Sequence, residues 1–142
     1  MKRLSKRQKQ SLISSIRHWQ RDIKDPLEKG IKVKKMELVH FNMKRYLYFV
    51  DYPQKGERTD VPCYRQDCPM CRAYFREGRC TNCPYKLYYG FQCWLRSQRS
   101  GHWVAFIEDP NLETCIAMIE SMQKILEEDE RMARDALGGT GW

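Results

Sequence analysis

Six of the seven cysteines of this chain fall between Cys63 and Cys93, and no other feature limits its fold as much. Two of the spacings are CxxC pairs, Cys68-Pro-Met-Cys71 and Cys80-Thr-Asn-Cys83, with Cys63 and Cys93 flanking them. The basic start, Met1 to Lys9, is followed by neither an apolar h-region nor a small-residue cleavage site, so the chain is expected to stay in the cytoplasm, where thiols are reduced. Clustered thiols in that compartment point to a metal rather than to a disulfide framework. A CxxC turn lets two thiolates converge on one ion, and two such turns supply the four sulfurs of a closed tetrahedral zinc site. The leading ligand set is Cys68, Cys71, Cys80 and Cys83, with Cys63 and Cys93 as substitutes. An iron–sulfur cluster is the alternative, because Cys63-x4-Cys68-x2-Cys71 has the spacing of a plant-type ferredoxin. Cys115 lies on the apolar face of a later helical pattern and reads as a small core residue.

Charge supplies the second constraint. Residues 1–100 hold 23 Lys and Arg against 9 Asp and Glu, whereas residues 101–142 hold 3 against 9. A basic body with an acidic end favours anionic partners, unless the acidic segment lies across the basic one and neutralises it. The apolar runs are only a few residues long, so no membrane-spanning helix is expected.

A length of 142 residues suits one domain, 1–142. Leu12, Ile16, Trp19 and Ile23 are spaced 4, 3 and 4 apart, which predicts a helix over 5–24 that ends before Asp25-Pro26. From Ile31 to Tyr52 the β-branched and aromatic residues partly alternate, which predicts two strands with a turn at 42–45, and 53–62 reads as a surface loop. The span 63–99 is the cysteine module, and Trp103 to Ile107 reads as a further strand. Asp109 and Pro110 read as the N-cap and first residue of a helix over 110–135, with Leu112, Cys115, Ile116, Ile119, Met122 and Leu126 on one face. The expected class is α+β: a small antiparallel sheet, N- and C-terminal helices packed beside it, and a cysteine-rich zinc-binding loop region.

Ser15-Ile-Arg-His-Trp19, followed by Cys68-x2-Cys71, Cys80-x2-Cys83-Pro84 and Gly90-x2-Cys93, resembles a group of small uncharacterised cysteine-rich proteins encoded by bacteriophages. That resemblance implies a phage origin and the host cytoplasm as the place of work, and it brings no activity with it.

Basic and aromatic residues interleave through the cysteine module. Arg72, Tyr74, Arg76, Arg79, Lys86, Arg96 and Arg99 are the candidate contacts for nucleic acid, since cations meet phosphates and rings offer stacking faces. The aromatics would equally serve as a small core beneath the thiols. The competing reading is a phage effector that docks on a host protein, such as a polymerase or a defence factor, with the acidic run Glu127 to Glu130 as one of its surfaces. Enzyme chemistry is not expected. His18, His40 and His102 are scattered, no HExxH, nucleophile elbow or phosphate-cradling glycine loop is present, and the carboxylates are too loosely spaced for a metal-dependent nuclease. His102 is a remote substitute for a zinc ligand.

Overall fold

Ser5 opens the first helix with a reciprocal cap. Its hydroxyl accepts the Gln8 N–H at 3.1 Å while the Gln8 side chain accepts the Ser5 N–H at 2.8 Å. Helix α1, Lys6–His18, runs on through a π-helical segment, Trp19–Lys24, into the short α2, Asp25–Glu28. In this computed structural model the described residues are 2–30, 32–33, 39–41, 45–47, 50–51, 68–76, 79–93 and 101–138. The expected stop before Pro26 is not observed. The Asp25 N–H bonds to the Gln20 carbonyl five residues back, and Pro26 enters at the start of α2. The wider π turn thus carries the chain past the proline.

The α+β expectation is overturned. The described residues are mostly helical, and the helices pack on one another rather than beside a sheet. Among the described residues, extended structure forms three antiparallel ladders: β1 Lys32–Val33 with β4 Val50–Asp51, β2 Val39–Phe41 with β3 Arg45–Leu47, and β5 Phe75–Arg76 with β6 Arg79–Cys80. Among the described residues none shows more than three residue pairs, too few to build a core face. The expected turn at 42–45 falls mostly outside the described residues, as does the 53–62 loop. Trp103 to Ile107, read as a strand, lies within helix α5, His102–Glu108. A five-residue apolar run bounded by turn signals fits either structure, and here Val104 and Phe106 are buried from a helix.

The last helix, α6, runs over Leu112–Gly138. Its cap is Asn111 rather than Asp109: the Asn111 side chain accepts the Thr114 N–H at 2.9 Å, and the Thr114 hydroxyl accepts the Asn111 N–H at 3.2 Å. Cys115, Met118, Met122 and Ile125 are buried on its inner face and meet Leu12, Ile16, Trp19 and Ile23 of the first helical run in one core. Trp19 stacks edge-on against Phe106 of α5, with centroids 5.2 Å apart. That contact ties α5 to the first helical run beside α6.

Candidate functional site

The two CxxC pairs are set on two short helices that begin in the same way. Cys68 is the N-cap of α3, Pro69–Tyr74, and Cys83 is the N-cap of α4, Pro84–Tyr89. Each sulfur-bearing cap is followed by a proline, whose missing N–H costs nothing in the first turn. Between the helices, β5 and β6 bring Phe75 opposite Cys80. The chain then reverses through Thr81 and Asn82, where Asn82 has a positive φ of 64° and the Cys83 N–H bonds to the Cys80 carbonyl at 3.3 Å. Left-handed backbone suits asparagine better than most residues. The result is a tight thiol knuckle facing the first turn of α3.

Cys93 arrives from the segment after α4 and is held by backbone packing. Its carbonyl accepts the Val104 N–H at 3.3 Å, and Gly101 lies so close that a Cβ there would overlap the Cys93 carbonyl. Next to this crossing the Tyr85 hydroxyl approaches His102 Nδ1 at 2.5 Å and accepts the His102 backbone N–H at 3.1 Å. Burial lowers the His102 pKa and raises that of Tyr85, which fits a neutral imidazole accepting the phenol proton at Nδ1. The Nδ1 of His102 is therefore engaged by Tyr85.

The thiols of Cys68, Cys71, Cys80, Cys83 and Cys93 act on one another. The Cys71 thiol donates to Cys68 and holds it down to about 6, helped by the Cys71 N–H, the Ser15 hydroxyl and the Met70 N–H against the cost of burial. Cys71, as the donor, is pushed well above the usual thiol range, and burial adds to the rise. Burial is the main cause that raises Cys83, to about 12, and Cys93, with the other cysteines adding to both. Six described cysteines are thiols rather than disulfides. Among the described residues, no three His, Cys, Asp or Glu side chains are already drawn together closely enough to hold a metal ion. The donor set suits a thiophilic metal in its chemistry, but the described thiols do not converge on one point. Cys63 lies outside the described residues. Cys115 is buried in the α6 core, where burial pushes its thiol up to about 12.

Ser15 was not among the expected site residues, yet it joins α1 to the first CxxC. Its hydroxyl lies 3.5 Å from the Cys68 sulfur and accepts the Met70 N–H at 3.0 Å, which supplies the capping bond that α3 does not receive from Cys68. A signal for it existed in the sequence. Ser11, Ser15 and His18 form a polar row beside the apolar stripe of α1, and polar side chains that accompany a core face need partners.

The expected basic and aromatic surface divides. Tyr85 is buried, while Tyr74, Phe75, Tyr88, Tyr89 and Phe91 pack against the core. The Tyr89 hydroxyl donates to the Ser121 carbonyl at 2.8 Å, and the Tyr74 hydroxyl is itself buried. These rings therefore pack against the core, Tyr85 fully and the others in part. Arg72 is exposed and Lys86 is half-buried. Arg76 and Arg79 lie in the β5–β6 ladder, and Arg96 and Arg99 lie outside the described residues. The acidic run is partly internal, because Asp129 is fully buried and accepts the Leu4 N–H at 2.8 Å and the Arg3 guanidinium at 3.0 Å. Among the described residues no helix is long and apolar enough to cross a membrane. The chain matches no family model, no curated protein and no solved structure.

Proposed function

We propose that this chain is a non-enzymatic binding protein that takes one zinc ion at its cysteine cluster and nucleic acid at its basic surface. The observation that carries the reading is that Cys68 and Cys83, one from each CxxC pair, open the two short helices α3 and α4, both of which pack against α1. Cys68, Cys71, Cys80 and Cys83 would hold the ion, with Cys93 as a substitute. A bound zinc supplies cross-linking of the elements that carry its ligands, and in small domains that binding energy is folding energy. The remaining work belongs to the protein's own residues. Ser15 anchors α3 to α1, and Tyr85, Tyr89 and Phe91 pack against the core.

The charge distribution supports a polyanionic partner: the first 100 residues carry a net +14. With Tyr85 buried and the neighbouring rings partly packed against the core, the expected contact moves from base stacking toward phosphate recognition. The test is a titration of zinc-replete protein against fluorescent single- and double-stranded DNA and RNA at two salt concentrations. Saturable binding that weakens with salt in proportion to the phosphates contacted is the expected result. Binding absent at low salt, or lost entirely near physiological salt, overturns the nucleic-acid reading and leaves the basic surface as a face for a protein partner.

A further inference from the structure

Residues 2–21 contain seven Lys and Arg and no acidic residue. The segment is helical from Lys6, and its inner face is spent on the core. Its outer face follows from the period: Arg7, Gln10, Ser14 and Arg17 are spaced 3, 4 and 3 apart, and all are exposed. No ion pair among the described residues engages Arg7 or Arg17. Past Arg17 the helix widens into the π segment, and Arg17, Gln20, Arg21 and Asp25 line an open concavity there. Arg21 is held in place by Asp22, Nε to Oδ1 at 3.1 Å, so its guanidinium is pre-oriented but partly neutralised. Asp25 sets the acidic limit of the groove. The usable cationic face therefore runs from Arg7 to the Arg17 side of the groove.

We infer that this outer face of α1 is a docking surface for the phosphate backbone of duplex DNA. The inference rests on the nucleic-acid reading above and places it on a different surface from the cysteine module. Three observations favour a duplex. Trp19, the aromatic residue of the π segment, is buried, so the face offers no ring for an unstacked base. The exposed groups between the arginines, Gln10 and Ser14, are short hydrogen-bonding side chains of the kind that accompany arginine at phosphates. Arg7 and Arg17 are separated by about 15 Å along the helix, which is four or five phosphate steps at about 3.4 Å per step on one strand. A helix of about 10–12 Å diameter also matches the open major groove of B-form DNA, whereas the major groove of A-form RNA is too narrow to admit it.

The experiment uses the full-length, zinc-replete chain and a fluorescent 20-base-pair DNA duplex of mixed sequence, with the matching single strand and RNA duplex as comparison probes. The proteins are the unaltered chain, the double variants Arg7→Glu with Arg17→Glu, and Arg7→Lys with Arg17→Lys, and a second-surface variant, Arg72→Glu with Lys86→Glu. Charge reversal on α1 is expected to weaken duplex binding at least tenfold and to make the slope of log K against log salt shallower by about 2. The lysine variant should stay within about threefold of the unaltered chain, because it keeps the charge. The lysine variant also guards against a folding failure in the glutamate variant, as do matching unfolding curves. Full affinity and an unchanged slope in a folded Arg7→Glu, Arg17→Glu protein overturn the inference. If the Arg72, Lys86 variant loses binding instead, the nucleic-acid reading stands and only its surface moves. A preference for single strands or duplex RNA overturns the choice of duplex DNA, and no binding of any probe by the unaltered chain overturns both proposals.

Discussion

The Ser15 hydroxyl lies 3.5 Å from the Cys68 sulfur, across the interface between α1 and α3. The same oxygen accepts the Met70 N–H at 3.0 Å, so one side chain caps α3 in trans and fixes the first thiol of the CxxC pair. Ser15 is fully buried. Replacement by Ala leaves the Met70 N–H buried without that acceptor. Ser15→Ala is expected to lower stability by about 1–2 kcal/mol, read as a shift of the urea midpoint without a change of slope.

Gly101 is required by a close crossing of two segments. A Cβ there overlaps the Cys93 carbonyl and backbone, neither of which can rotate away as a side chain could. Gly101→Ala should therefore push α5 off the Cys93 segment and cost about 1–3 kcal/mol. Thermal unfolding checks the cost. Tyr85 reports the cause, because the His102 N–H next to Gly101 bonds to its hydroxyl. A change in near-ultraviolet dichroism is expected to accompany the loss.

Asp129 gives the fold an acid-sensitive contact. Burial opposes ionisation of this carboxyl, but the Arg3 guanidinium and the Leu4 N–H outweigh it, and the pKa lies below the ordinary aspartate value. A carboxylate depressed in the folded state stabilises fully above its unfolded pKa of about 4 and loses that contribution as pH falls through the folded value. Asp129→Asn should cost about 1–3 kcal/mol at neutral pH. The difference between variant and unaltered chain should shrink below about pH 4, as followed by chemical unfolding across pH 2–7.

The cysteines separate into two groups with different expected behaviour. Cys83→Ser should reduce metal content and stability together, since Cys83 caps α4 at the centre of the thiol cluster. Cys115→Ala removes a buried sulfur from the α6 core and should cost about 1 kcal/mol, with metal content unchanged. Elemental analysis alongside thermal unfolding of both variants distinguishes them.

The apolar period of the terminal segments was plain in the sequence because it is a local property. Leu12, Ile16, Trp19 and Ile23 lie on one helical face, and they are buried in the core. Trp103 to Ile107 was misread because a short apolar run has no period of its own, and helix α5 forms where Phe106 can meet Trp19. The β-branched pattern of 31–52 is legible as strands, and the described residues there pair β1 with β4 and β2 with β3. At the site, the paired CxxC spacing singles out the cysteines, but the helices α3 and α4 that Cys68 and Cys83 open carry no signal of their own in a segment that reads as loop. The role of Ser15, the Gly101 crossing and the packing of the aromatic rings against the core are tertiary relationships, which depend on residues far apart in the chain. Arg7 and Arg17 were visible as basic residues, but which of them face outward follows from where α1 packs.

Metal content of the purified chain tests the central claim most directly. Native mass spectrometry with elemental analysis is expected to show one zinc per chain, and removal by a strong chelator should lower helicity and the unfolding temperature together, with recovery when zinc returns. A fully folded chain with no metal, unchanged by added zinc or chelator, contradicts the account, as does iron with sulfide in place of zinc.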